Sequence, residues 1–190
     1  MRNEGAGSPT GWPRGMQIST IVYGRQLLTL LFVRVRLGIA TEEDVPVLDG
    51  GPVEAPTAAA PDIDTVSRWG RLWSGSWSEI SGSPASGSLS RAPRHSPTDD
   101  DRWDIESWGL DEESLNRWIA SLRPVDDKEY LDSVEYRCRQ SLEVAWRGGL
   151  TTIVVLPYKG HHHRRRDRSV VEMSATSYLD ESSFRAALVG

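Results

Sequence analysis

The chain has 190 residues, 38% apolar and 26% charged, with eight tryptophans and a single cysteine, enough apolar material for one ordinary core but little for two full domains. Its formal charge of −5 alternates in sign: five basic residues face one acidic residue in 1–40, four face ten in 41–100, seven face twelve in 101–157, and six face four in 158–190. That layout lacks the broad basic excess of a general nucleic-acid binder, so any affinity for phosphate has to be local, and one cysteine excludes both an internal disulfide framework and a multi-cysteine zinc site.

In chain order, the first feature is the apolar run 27–33, broken only by Thr29 and preceded by Arg2, Arg14 and Arg25. Arg34 and Arg36 fall where the apolar region of a secretory signal should continue, and the polar lead is unusually long. The run is also far short of the ~20 apolar residues a bilayer requires. The expectation is a cytoplasmic protein with no membrane partner, with Met16 an alternative start to Met1. Residues 17–39 are expected to be extended. Ile21 and Val22 are β-branched, and Val33, Arg34, Val35, Arg36 and Leu37 alternate with the period of a strand, although a helix over 26–37 competes. Three prolines give residues 50–61 the composition of a linker.

Over residues 62–80, Asp62 or Asp64 caps a short helix in which Val66, Trp69, Trp73, Trp77 and Ile80 recur at spacings of three and four. Gly70 and Gly75 each weaken that helix by up to ~1 kcal/mol relative to Ala, so in isolation it is not expected to hold. Residues 74–97 are dominated by Ser, Gly and Pro and read as flexible linker. Residues 1–100 are therefore expected to form a low-order N-terminal region, and 101–190 a compact α+β domain.

Within the second half, Asp111 caps a helix that carries Leu115, Trp118, Ile119 and Leu122 on one stripe and ends at Pro124. A second helix opens with Asp126 and Glu129 in capping-box spacing, carries Leu131, Val134, Cys138, Leu142 and Ala145, and closes at Gly148 and Gly149. A β-rich run over 150–156, a basic loop and a strand over 169–177 follow. Asp180 then caps a last helix containing Phe184, Ala187 and Leu188. The expected order is helix, helix, strand, strand, helix. Two strands make too small a sheet, so the 17–39 segment is expected to supply a third.

Two features carry candidate recognition chemistry. Trp69, Trp73 and Trp77 form an aromatic stripe of the kind that anchors a fold-on-binding helix in a protein partner's groove; the alternative is that the stripe docks on the chain's own core. Between the strands of an expected hairpin, Lys159, Arg164, Arg165, Arg166 and Arg168, offset only by Asp167, offer guanidinium forks to an anion or to nucleic acid. The bland reading of that loop is a solvated hairpin tip.

The remaining motifs nominate no cofactor, metal site or catalytic residue. His161, His162 and His163 alternate in direction on an extended backbone, and neither they nor His95 have the spacing of a ligand set. Cys138 lies on an apolar helix stripe with no histidine near it in sequence. The cluster Asp99, Asp100, Asp101, Asp104 and Glu106 lacks the spacing of a calcium loop. The favoured expectation is a non-enzymatic protein-protein interaction or regulatory protein acting through the tryptophan stripe. The alternative is an anion or nucleic-acid binding module acting through residues 159–168.

Overall fold

A computed structural model describes residues 12–40, 45–52, 61–82, 104–122, 125 and 133–189. The fold is α+β, with helices α1 (Arg25–Arg36), α2 (Ile63–Gly82), α3 (Glu112–Ser121), α4 (Val134–Arg137), α5 (Arg139–Arg147), α6 (Ala175–Leu179) and α7 (Glu181–Val189). Strands β1 (Ser19–Val22), β2 (Thr152–Leu156), β3 (His163–Arg165) and β4 (Val170–Ser174) form one mixed sheet in the order β1-β2-β4-β3. β1, β2 and β4 are mutually parallel, and β3 runs antiparallel to β4 at one edge.

Every residue of β2 and β4 is buried, as expected where both faces of a sheet are covered and the strands lose their polar alternation. On one face Val154, Leu156 and Val170 pack with α1, α2 and α3 through Leu27, Leu31, Trp69, Trp73, Leu115 and Trp118. On the other, Ile153, Val155, Val171 and Met173 pack with α4, α5, α6 and α7 through Val134, Leu142, Tyr178, Phe184 and Leu188. The core thus joins residues from both halves of the chain.

The N-terminal segment does supply a third strand, but only over Ser19–Val22; the alternation at 33–37 belongs to α1, the helical competitor. Seven consecutive buried residues, 27–33, explain the ambiguity, because a helix covered on nearly all sides shows no clear polar face. α1 ends in a Schellman turn. Gly38, at φ 62, takes the left-handed conformation, its N–H bonds the Val35 carbonyl, and the Ile39 N–H reaches back to Arg34 O at 2.9 Å. Arg34 and Arg36 stand at the negative end of the α1 dipole.

Further departures concern α2, the second helix and the hairpin. Asp62 caps α2 by accepting the Thr65 N–H at 2.7 Å. The helix then runs on to Gly82, through residues 74–82 whose composition reads as linker. The hydroxyls of Ser76 and Ser78 donate back to the Leu72 and Ser74 carbonyls, as serines inside helices do, while burial of Trp73 and Trp77 outweighs the poor propensity. The expected helix across Cys138 is two short ones: Ser133 caps α4, and the backbone turns at Cys138 before α5. The strand expected over 169–177 is β4 followed by α6, started by a Ser174 cap. β2 and β4 are parallel neighbours and not a hairpin; the basic stretch between them contains β3. The Asp126–Glu129 capping box, Leu131, Pro124, His95, Asp99 to Asp101 and residues 83–97 of the expected linker lie outside the described residues.

Candidate anion-binding site

The period of two along an extended chain sorts the basic stretch onto two faces. Arg164 stands opposite Glu172, while His163 and Arg165 stand opposite Met173 and Val171 on the other face. His162, Arg164 and Arg166 therefore converge on Glu172, a carboxylate with 0% exposure at the middle of β4. His162 Nε2 lies 3.8 Å from Glu172 Oε1, Arg164 Nη2 lies 3.4 Å from Oε2, and Arg166 Nε donates to the same Oε2. Arg164 and Arg166 are themselves largely covered, at 31% and 16% side-chain exposure.

The surrounding backbone fixes these positions. Tyr158 is held in a bridge with Leu48, flanked by Asp49 N–H to Pro157 O at 2.7 Å and Lys159 N–H to Val47 O at 2.8 Å. The Ser174 N–H donates to His162 O at 2.8 Å, and the Ser174 hydroxyl accepts the His162 N–H at 3.2 Å and the Ser177 N–H at 3.0 Å. At the β3–β4 turn, Asp167 Oδ1 accepts the N–H groups of Ser169 and Val170 at 2.6 and 3.0 Å, and Oδ2 accepts the Ser81 hydroxyl from the end of α2. Burial opposes ionisation of Asp167, yet the bonds from Ser81, Ser169 and Val170 together hold its carboxyl below the usual range.

The α2 helix closes the site. The Arg166 guanidinium carbon lies 4.3 Å from the Trp77 ring and 5.8 Å from the Trp73 ring, a cation–π arrangement in a partly desolvated setting. Trp73 stacks on Trp69 at 5.2 Å and meets Trp77 edge-on at 5.6 Å, and Trp69 Nε1 donates to the Leu30 carbonyl of α1 at 2.7 Å. Tyr158 sits beneath the cluster: burial, then the nearby Glu172 carboxylate, push its phenol well above the usual range, against the pull of Arg166 and Arg164. Burial draws Arg34 below the ordinary arginine range, with Tyr158 acting in the opposite sense.

The site is rich in donors. Among the described residues, the donors Arg34 Nε, Arg164 Nε, Arg166 Nη2, Trp73 Nε1 and Trp77 Nε1 are buried without an acceptor, and in the same cluster Glu172 Oε1 and the Tyr158 hydroxyl are buried without a hydrogen-bond partner. Two guanidinium groups share the buried Glu172 carboxylate, and a second carboxylate, Asp167, lies beside Arg166 at the edge of the cluster. Outside the buried cluster, Ser74, Trp77, Ser78, Ser81, Arg166 and Asp167 line an open cleft of about 490 Å³.

The five basic residues picked out in sequence do not form one surface. Arg164 and Arg166 turn inward. Arg165 donates to the carbonyls of Asp167 and Arg168 at 3.0 and 2.7 Å, Arg168 donates to Gly148 O at 2.7 Å, and Lys159 is exposed. Trp69, Trp73 and Trp77 are together on the core side of α2, at 0%, 0% and 6% exposure; the stripe docks on the chain's own α1, the alternative to a partner's groove. Glu172, Tyr158 and Arg34 carry the site and were missed in sequence. Their one legible signal is a lone glutamate amid the apolar residues of β4, opposite an alternating row of basic residues.

Elsewhere, His161 Nδ1 pairs with the Ser183 hydroxyl at 2.9 Å, and burial pushes the Cys138 thiol up. Among the described residues no group of three or more His, Cys, Asp or Glu side chains is placed to hold a metal ion, and no helix is long and apolar enough to cross a membrane. No protein-family model, curated protein or solved structure matches the chain.

Proposed function

We propose that this protein is a binding module that recognises an anionic group through Arg164 and Arg166. One observation carries the reading: two inward guanidinium groups share the single Glu172 carboxylate, with Arg166 against the Trp77 and Trp73 rings, whose indole N–H donors are buried without an acceptor. Buried polar groups are nearly always satisfied, so a donor-rich constellation calls for an acceptor-rich guest. Guanidinium is suited to that guest because its fork matches the oxygens of a carboxylate or phosphate. The anionic group belongs either to a small molecule or to a partner macromolecule.

The stacked tryptophans make the site its own reporter, since an anion that draws on Arg166 alters the field over Trp77 and Trp73. Titrating the protein at low salt with citrate, inorganic phosphate and a single-stranded oligonucleotide should give saturable binding of at least one, seen as a change in tryptophan emission. Arg166→Lys keeps a charge against Glu172 but loses the fork, and should weaken that binding about tenfold. Silence toward all three anions at low salt would sink the proposal.

A further inference from the structure

We infer that the last turns of α2, from Ser76 to Gly82, are a lid over Arg166, and that an anion binds only when these turns unwind. This inference rests on the anion-binding reading and assigns its regulation. The first half of α2 is firmly fixed. Asp62 caps it, and Trp69 Nε1 donates to the Leu30 carbonyl at 2.7 Å. Arg68 donates to the Ser107 carbonyl and hydroxyl at 3.2 and 2.7 Å, with its guanidinium carbon 4.1 Å from the Trp108 ring. Trp73, stacked on Trp69, belongs to this half.

Past Gly75 the contacts change in kind. Trp77 covers Arg166 and Ser81 donates to Asp167, so the helix end leans on two polar side chains of the β3–β4 turn. Asp167 also accepts the Ser169 and Val170 N–H groups, which gives the turn its own support without the lid. The seam between helix and turn is open, a cleft of about 490 Å³ with Ser74, Ser78 and Ser81 on one side and Arg166 and Asp167 on the other. The segment is also weak as a helix. Glycine is a poor helix former and serine competes with the backbone for its bonds. The Ser76 and Ser78 hydroxyls bond the carbonyls of Leu72 and Ser74, a pattern that bends helices.

Closure leaves polar groups unsatisfied. In the closed form Arg166 Nη2 and Trp77 Nε1 are buried without an acceptor, and a buried donor with no partner carries the full penalty of its lost water. Their burial puts them out of reach of the cleft, so no guest relieves that penalty while α2 is intact. Unwinding returns both donors to solvent but exposes the Trp77 ring, which is 6% accessible when closed. These two effects oppose each other. An anion that takes the Arg166 fork stabilises the open form, because it has no access to the closed one.

The test is hydrogen exchange of the full chain read by mass spectrometry, beside calorimetric titration at low salt with citrate, inorganic phosphate and a single-stranded oligonucleotide. Without a probe, amides of 76–82 should exchange faster than those of 63–73, and a bound probe should speed them further. Ser78→Ala combined with Gly82→Ala strengthens the helix at two exposed positions, and a Cβ at Gly82 meets open space. That variant should slow exchange of 76–82 about fivefold and weaken probe binding by the same factor, since apparent affinity scales with the open fraction. Ser78→Gly should do the reverse, about twofold in each. A variant that shifts one quantity without the other, or neither, overturns the lid, as does a bound probe that protects 76–82. Exchange of 76–82 no faster than that of 63–73 overturns it too. Each of those results leaves the anion-site reading standing, whereas no binding of any probe to the unaltered chain removes both.

Discussion

Truncating Glu172 leaves Arg164 and Arg166 buried without their shared counter-ion, and an uncompensated buried charge is the costliest outcome of breaking an interior ion pair. Glu172→Ala should therefore lose roughly 3–5 kcal/mol in urea unfolding, whereas replacing Glu172, Arg164 and Arg166 together by Leu, Met and Met should recover most of that loss. A second residue-scale consequence concerns alkali. Tyr158 and Cys138 both hold their protons more firmly when folded, Tyr158 through burial and Glu172, Cys138 mainly through burial. Their contribution is fully present below the unfolded pKa values, near 9.0 for Cys138 and 10.0 for Tyr158, and is lost as the pH rises beyond them, because the unfolded chain releases protons that the fold retains. Stability measured across that window should fall, and Tyr158→Phe should flatten the decline. The site was only half legible at this scale. The basic residues stood out by composition, but their inward direction depended on β3 pairing with β4, and nothing local tells that the three residues His163–Arg165 are an edge strand beside a buried glutamate.

At the scale of elements, caps and spacing were the signals that survived folding. Asp111 accepts the Ser114 N–H at 2.7 Å and Asp180 the Ser183 N–H at 2.8 Å, so α3 and α7 start where the sequence indicates. Leu115, Trp118, Phe184, Ala187 and Leu188 are buried as their spacing implies. α1 was ambiguous because burial on nearly all sides erases periodicity, and the last turns of α2 were hidden because Ser and Gly describe a linker unless tertiary contacts intervene. Those contacts make α2 testable. Trp73 is fully buried between Trp69 and Trp77, so Trp73→Ala should cost about 3–5 kcal/mol. Trp73→Phe keeps most of the packing and should cost less, and if the two substitutions were equivalent in thermal unfolding, ring contacts would not be what holds this helix.

Across the whole molecule, the parallel pairing of β1 with β2 and the docking of α1 and α2 onto Val154, Leu156 and Val170 make one side of the core a joint product of both halves of the chain. A fragment comprising residues 101–190 retains β2, β3, β4, α3 and the helices on the opposite face, but loss of α1 and α2 bares much of the apolar side of β2 and loss of β1 turns that strand into an unprotected edge. Exposed apolar edges favour association over solubility, and a domain of about 90 residues has little surplus burial to give up. The fragment should therefore show no cooperative urea transition and should self-associate. Mixing it with a second fragment covering 12–82 should restore a cooperative transition and a blue-shifted tryptophan emission, since Trp69, Trp73 and Trp77 become buried only when α1, α2 and the sheet come together. A fragment 101–190 that stays monomeric and unfolds cooperatively alone would instead mean that the face packed on α1 and α2 contributes little to the energy of folding, and that the first half is an attachment to a finished domain.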